Sequence, residues 1–588
     1  MNLEFGLFNS FFKHIKGQEL ILDKDLTLSL FKNERFAFQL LIKADENFFC
    51  NIGKNLDISR KGLINTLRLS IKSKKGNIED LSLNFLGHVK DDNGDLVCDP
   101  ILREKASLVK KDDFISIWIE GKVSKKIKDK DDLIEINLNE SKGYEKEKLI
   151  EKINCKVNIN DLNIESPKEG DFYLDIWQHL SNWARHYNVE YFSKEHFEII
   201  ENYIDELSTL GERVVTVVAS DYSWAGQGCY KVDENPSNLF ELNIINVYKN
   251  KEGKIYCDFS NLDKYINICF KYGIDKEIDI FGLIANWDGK DFKNPLKDYK
   301  DPIRISYFDE KGEVFNYIDN KKDLKEYLGL LFKHFEDKDL WEKVRIISDE
   351  PNNIELFKEW KEFISSCTNL KIKFKTAIHN QNFYKEFKNE ISDISLNTCE
   401  VIKNINSLEI LKLQTEKKKG VLTWYNCCFP EKLNTFIKSH LIESRLIPWF
   451  SYIIGATGFL RWAYALWPEN IENDITYKKE VWAAGDMFFV YPGKDMKPVR
   501  SVRWENLRFG IQDYNLFLKL EKIGVNREKI LNNIEEVFSS KDNMKYLGDR
   551  KVEMNYSLNG NDYFKIRNNI HESIIKIEGE NNDKSTKC

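Results

Sequence analysis

Hydrophobic and polar residues alternate one by one through roughly the first 165 positions, in short runs such as LTLSLF, FAFQLLIKA, TLRLSIKS, FISIWIEG and LIEINLN. A period of two puts the apolar side chains on one face of an extended chain, so each run predicts a strand with one face buried. Clusters such as KDDNGD separate the runs and suit hairpin connections. Helical periodicity of any convincing length is missing here. So many strands pack most naturally as an antiparallel β-sandwich, expected over residues 1–165. The segment NIESPKEGD, residues 163–171, sets Pro and Gly among charges and predicts a boundary.

After Asp171 the rhythm changes. Short apolar runs, predicted as strands, recur at FYLDIWQ (172–178), RVVTVVAS (213–220), EIDIFGLIA (277–285), VRIISDE (344–350), KIKFKTAIH (371–379), ISDISLN (391–397), VLTWYNCC (421–428) and GFLRWAY (458–464). Between them stand amphipathic segments such as KEHFEIIENYIDELSTLG and DLKEYLGLLFKHFEDKDLWEK, with apolar residues at i, i+3, i+4 and i+7. Eight strand–helix units predict a (β/α)8 TIM-like barrel across 171–540, with a doubly wound sheet as the alternative. Two hairpin-like inserts, IINVYKNKEGKIYCDF and RISYFDEKGEVFNYI, are expected above the barrel as lid or rim. Residues 541–588 form a C-terminal extension whose last stretch, IKIEGENNDKSTKC, has the composition of a disordered tail.

Composition narrows the functional classes. The chain has 588 residues, 42% hydrophobic and 13% aromatic, enough for more than one core. A net charge of −7 with interspersed signs gives no basic stripe, so nucleic acid is not an expected partner. No run of about 18 apolar residues suggests insertion in a membrane. The N-terminal residues do not read as a signal peptide, and the eleven scattered cysteines favour a reducing compartment. A cytoplasmic location is therefore expected, or secretion if a signal segment has been removed. Cys427 and Cys428 read as reduced core thiols. The nine histidines show no HxH or HExxH spacing and the cysteines no CxxC, so neither a metal nor another cofactor is expected. Oligomeric state is not legible.

The chemistry concentrates in RIISDEP, where Asp349 and Glu350 stand side by side before Pro351. One reading is a helix start, with Ser348 or Asp349 as cap and Pro351 in the first turn. The other is an acid pair at the C-terminal end of the fourth predicted strand, where barrels keep their active sites. Pro351 is expected to hold Glu350 extended, so that both carboxylates leave the pleat toward one pocket. Adjacent acids cannot both ionise easily, which separates a proton donor from an ionised partner. Flanking carboxylates on opposite faces of a sugar need about 5 Å or more, so adjacency fits substrate assistance better: the substrate's 2-acetamido oxygen attacks the anomeric carbon. Tryptophan is dense as well: of thirteen, all but Trp118 follow residue 171, with Trp177, Trp183, Trp224, Trp287, Trp424, Trp462 and Trp467 near predicted strand ends. Such rings are rim packing or platforms for sugar rings.

The blocks SRLIPWFSYIIGATGFLRWAYALW (444–467), AGDMFFVYPG (484–493) and SVRWENLRFGIQDYNLF (501–517), with NERFAFQLLIKA (33–44) and SDEP, resemble glycoside hydrolase family 123 over residues 30–520. The resemblance implies a β-N-acetylgalactosaminidase, retaining through an oxazoline intermediate, that releases terminal β-GalNAc from oligosaccharide or glycolipid glycans. By that resemblance Asp349 orients the acetamido group and Glu350 is general acid, then base. Tyr425, at the end of the seventh strand, is placed to donate to the acetamido carbonyl. Trp177, Asp175, His179, Trp424, Trp462, Trp467 and Asn380 are the further candidate sugar contacts, with His379 beside Asn380. Arg503, Glu505, Arg508 and Asp513 read as a buried ion network. A broader β-N-acetylhexosaminidase, a non-catalytic glycan binder, and a glycosidase with its own nucleophile at Asp175 or Glu400 stay open as alternatives.

Overall fold

The computed structural model describes residues 1–53, 65–143, 145–221, 224, 241–284, 304–475, 482–570 and 572. The alternating runs of the first 165 residues become eleven strands in two sheets. In the five-stranded sheet Leu3–Asn9, Arg35–Ala44, Ile115–Val123, Ile78–Lys90 and Leu96–Ile101 lie side by side, all antiparallel. The six-stranded sheet is mixed, because Leu26–Lys32 pairs parallel to Lys148–Asn163, and Phe48–Asn51 parallel to Asn65–Ser73. Period-two patterning fixes which face is buried but says nothing of strand direction, so those two parallel pairs lay beyond it. Phe38, Leu40, Ile117 and Ile119 of the first sheet share one core with Leu28, Ile134, Ile136 and Val157 of the second.

The eight apolar runs after Asp171 are all strands. In chain order they are Tyr173–Ile176, Val214–Val218, Glu277–Phe281, Val344–Asp349, Phe374–Ile378, Asp393–Asn397, Leu422–Tyr425 and Gly458–Arg461. They form one parallel sheet in sequential order, the first strand pairing with the eighth. Leu174 bridges Glu212 just before the second strand, and the Arg213 N–H donates to the Leu174 carbonyl at 3.0 Å, so the sheet all but closes on itself. This is a TIM-like barrel. Gly458 lets the seam form: a Cβ there would stand 1.7 Å from the Tyr173 carbonyl oxygen. The two predicted hairpins, Asn246–Lys249 with Ile255–Asp258 and Ser306–Asp309 with Val314–Tyr317, join in a separate four-stranded sheet.

The barrel interior is ionic at its lower layer. Lys375 of the fifth strand reaches Asp175 of the first at 2.6 Å and Glu277 and Asp279 of the third at 2.7 Å each, all fully buried. Side chains from alternate strands fill one layer of such a barrel, and these three strands alternate. Arg345 extends the group to Asp393 at 2.6 Å. Burial pushes the Asp175 and Asp279 carboxyls upward, whereas Glu277, although buried, is held at about 2 by Lys375 and Arg345.

The C-terminal blocks tie the strands of the first 165 residues to the barrel. Arg503 grips Asp99 at 3.0 Å, Arg500 joins Glu120 to Glu505, and Asp513 holds Arg445. Arg567, in a helix over residues 560–570 of the expected extension, bridges Asp513 and Glu34. The expected ion network is thus several separate buried clusters. The tail expected to be disordered, 575–588, lies outside the described residues. No described helix is long and apolar enough to cross a membrane.

Replacing Lys375 by Met is expected to cost about 3–5 kcal/mol in urea denaturation, because three buried carboxylates lose their cation. A loss below about 1 kcal/mol would show that the layer neutralises itself by taking up protons.

Candidate active site

The fourth strand ends at Asp349, and the chain does not continue extended. Glu350 has φ 49°, in the left-handed region, against the expectation drawn from Pro351. Its N–H still donates to the Ala377 carbonyl at 3.1 Å, extending the ladder to the fifth strand by one bond. A regular strand would send neighbouring side chains to opposite faces. The left-handed turn instead leaves Asp349 and Glu350 on the same cavity wall. Such a backbone costs of order 1 kcal/mol or more for a residue with a side chain, and such outliers cluster at functional sites.

The helix-cap reading fails at this point. The following helix, Ile354–Ser365, is capped by Asn353, whose side chain accepts from the Leu356 N–H at 3.0 Å. The acid pair is therefore not used as its cap.

The pair lines a cavity of about 320 Å³ at the C-terminal ends of the strands, walled by Trp177, His379, Tyr425, Cys427, Trp462 and Trp482 among others. Trp224 donates its indole N–H to Asp349 at 3.1 Å, and the Tyr425 hydroxyl donates to Glu350 at 2.5 Å. His379 Nδ1 stands 3.6 Å from the other Glu350 oxygen. Burial, and then the neighbouring Glu350 charge, raise the Asp349 carboxyl well above the ordinary carboxylate range, with the Trp224 N–H pulling the other way. Burial and Glu350 likewise raise the Tyr425 phenol well above its usual value, so it stays a donor. Asp349 and Glu350 are the only carboxylates on the wall among the described residues.

The remaining expected contacts divide. Trp177 and Trp462 line the cavity, Trp462 with its N–H 3.4 Å from Asp486 and Trp177 packed on Phe281. The others lie off the wall. Asp175 is held by Lys375 one layer below. His179 is buried behind the wall, with its ring 4.8 Å from that of Trp224 and Nε2 2.9 Å from the Trp462 carbonyl. Trp424, one residue before Tyr425 and so on the opposite face of its strand, donates to Ser451 between sheet and helix. Trp467 donates to the Val490 carbonyl and packs against Tyr203. Asn380 caps the helix Gln381–Phe387, while its neighbour His379 is the residue in the cavity. Glu400 pairs with Lys403 at 2.6 Å. Trp287 lies outside the described residues.

Several wall residues carried no signal. Cys427 and Cys428, read as core thiols, are half-buried on the wall, their sulfurs 3.9 Å apart. Arg550 reaches it from the hairpin Lys545–Gly548 and Lys551–Glu553, lying 4.5 Å over the Phe429 ring. Nothing near residue 550 in the sequence points to a barrel mouth.

The family model for the catalytic domain of glycoside hydrolase 123 matches residues 177–520, more than half of the chain. The chain belongs to glycoside hydrolase family 123. Its fold is similar to that of a family 123 glycoside hydrolase from Clostridium perfringens, whose structure concerns glycolipid glycan hydrolysis, at a TM-score of 0.75 and 20% identity over 98% of this chain and 99% of that one. A putative glycoside hydrolase from Bacteroides vulgatus aligns over 84% of this chain and 78% of its own, at 11% identity and a TM-score of 0.30. No curated protein matches the sequence. The family 123 assignment makes the protein a glycosidase, and its substrate a glycan.

Raising the Asp349 carboxyl has a consequence for stability. The folded state binds this proton more tightly than the unfolded chain, so stability falls as pH rises above the ordinary Asp value near 4, by up to about 1.4 kcal/mol per pH unit while the proton is retained. Asp349→Asn cannot ionise, so its stability relative to the parent is expected to increase from pH 4 to pH 8 in parallel denaturation curves. A pH-independent difference would contradict the raised carboxyl.

Proposed function

We propose that this family 123 enzyme is a retaining exo-β-N-acetylgalactosaminidase acting by substrate assistance through an oxazoline. One observation carries the reading: the cavity's described wall holds two adjacent carboxylates and none across from them. An enzyme nucleophile would need a second acid about 5 Å from the proton donor, and the two residues eligible from the sequence, Asp175 and Glu400, are tied to Lys375 and Lys403. With no further carboxylate on the described wall to attack, the acetamido oxygen is the nucleophile at hand. The Clostridium perfringens relative supports a glycolipid glycan as one class of substrate.

The contacts suggest how the roles are assigned on binding. In the free site the Tyr425 hydroxyl donates to Glu350, and burial favours protonated Asp349. An acetamido N–H arriving at Asp349 favours that carboxylate instead, and an acetamido carbonyl draws the Tyr425 donor away from Glu350. The arriving acetamido group thus displaces the Asp349 proton, which passes to Glu350 and arms it against the leaving oxygen as the nucleophile is seated. Glu350 then takes a proton from the water that opens the oxazoline. Trp177 and Trp462 supply apolar surface for the sugar ring. The two sheets of residues 1–165, sharing one core, are proposed as a β-sandwich domain beside the barrel domain of residues 171–540.

Two outcomes test this. Glu350→Gln is expected to lose less than about tenfold on aryl glycosides with very good leaving groups and about 10²–10⁴-fold on poor ones, whereas Asp349→Asn loses heavily on both. Equal losses on the two substrate types for both variants would remove the role assignment.

For the sugar, kcat/KM on matched aryl β-GalNAc and β-GlcNAc is expected to favour GalNAc. Its axial O4 leaves a continuous apolar patch from C3 to C5 for an aromatic wall, worth about 1–3 kcal/mol by shape, and more if a polar group reads O4. Equal values or a GlcNAc preference would leave a general β-N-acetylhexosaminidase, and no cleavage of either would leave a glycan binder.

A further inference from the structure

Away from the catalytic cavity, His14, His88 and Cys98 converge in the five-stranded sheet. His88 and Cys98 face each other across the antiparallel pair Ile78–Lys90 and Leu96–Ile101, with the register shifting between Leu86 and His88. His14 comes from the loop after Leu3–Asn9, and is fixed on the same strand: its carbonyl accepts from the Cys98 N–H at 3.0 Å, and Ile15 bridges Val97. The backbone thus places three donor side chains at adjoining positions. His88 Nε2 lies 3.2 Å from His14 Nδ1 and 3.3 Å from the Cys98 sulfur, and that sulfur is 3.9 Å from His14 Nδ1.

These distances have a simple geometric meaning. With zinc–nitrogen bonds of about 2.0–2.1 Å and a zinc–sulfur bond of about 2.3 Å, the edges of a tetrahedron are about 3.3 Å for N···N and about 3.6 Å for N···S. The N···N separation falls close to its value, and the two N···S separations lie on either side of theirs. Ser116 Oγ stands 2.9 Å from His14 Nδ1 as well, so three groups crowd the one lone pair of that nitrogen if only hydrogen bonds are made. A cation at the centre resolves the crowding by accepting a lone pair from each ligand. A separate surface cavity of about 350 Å³, lined by His88, Lys16, Asp113 and Ser116, gives an entry path and room for a fourth ligand.

We infer that His14, His88 and Cys98 form a binding site for a borderline-soft divalent metal ion, zinc being the ion that fits, with water or the Ser116 hydroxyl in the fourth position. Two imidazoles and a thiolate exclude magnesium or calcium, which prefer oxygen. On binding, the Cys98 thiol gives its proton to solvent and the thiolate takes its place on the metal. None of the three residues lines the catalytic cavity, so the ion would staple the His14 loop to the sheet without taking part in glycan cleavage.

The test uses the full chain without a histidine tag, stripped by a chelator and titrated with cobalt(II) alone. One equivalent is expected to bind, with a thiolate-to-cobalt charge-transfer band in the near ultraviolet that zinc then abolishes. Cys98→Ser should lose the band, and His88→Gln should weaken binding by about 10–100-fold. Metal should raise the thermal midpoint of the parent and raise that of the variants less, at unchanged glycosidase activity. Cys98 is buried, so His88→Gln, on a half-exposed residue, decides if the serine variant does not fold. Absence of the band in the parent, or affinity unaltered in His88→Gln, overturns the site.

Discussion

A single buried ammonium underlies the barrel. Lys375 joins the first, third and fifth strands through three carboxylates, and the cavity with the acid pair lies at the strand ends beyond it. Charges at this depth are tolerated only in mutual contact, so the layer ties the strands' relative positions to those contacts. The fourth and sixth strands enter the same group through Arg345 and Asp393. Five of eight strands are thereby referred to one charged centre, and the residues above inherit their positions from it.

The placement of the acid pair depends on one departure from strand geometry. Had Glu350 stayed extended, its carboxyl and that of Asp349 would point to opposite sides of the sheet. The left-handed turn at φ 49° brings both to the cavity, and the ladder bond to Ala377 holds the turn against the fifth strand. The surroundings then make two identical functional groups unlike: Asp349 is buried against the Trp224 indole, and Glu350 meets the Tyr425 hydroxyl. Environment, not residue type, makes the two carboxyls unlike.

The first 165 residues are joined to the C-terminal half of the chain through arginines of its last hundred residues. Arg503 on Asp99, Arg500 on Glu120 and Arg567 on Glu34 each span hundreds of residues of sequence. Removing one partner of such a pair leaves a buried charge uncompensated, so the halves are coupled energetically as well as sterically. The block 501–517 is a structural joint beside the site, whereas the block 444–467 also brings Trp462 to the cavity wall.

All eight barrel strands, both hairpins and the acid pair at the end of the fourth strand were legible in the sequence, because period, breakers and adjacency are local properties. Tyr425, Trp177 and Trp462 were found for the same reason: they stand at or just beyond the ends of recognisable strands. Local order cannot say which way a side chain points once the strand ends. Trp424 and Tyr425 differ by one residue and face opposite sides, and Asn380 caps a helix where His379 meets Glu350. Asp175 was drawn to the wrong layer of the barrel, since only the closed sheet sets the depth at which Lys375 claims it. Arg550 at the cavity and the His14–His88–Cys98 cluster come from distant segments with no spacing to reveal them. The sequence by itself determined which elements form and where the acids sit along the chain. Tertiary structure alone decided which side chains share a cavity, because that is settled by strand register and barrel closure between residues far apart in the chain.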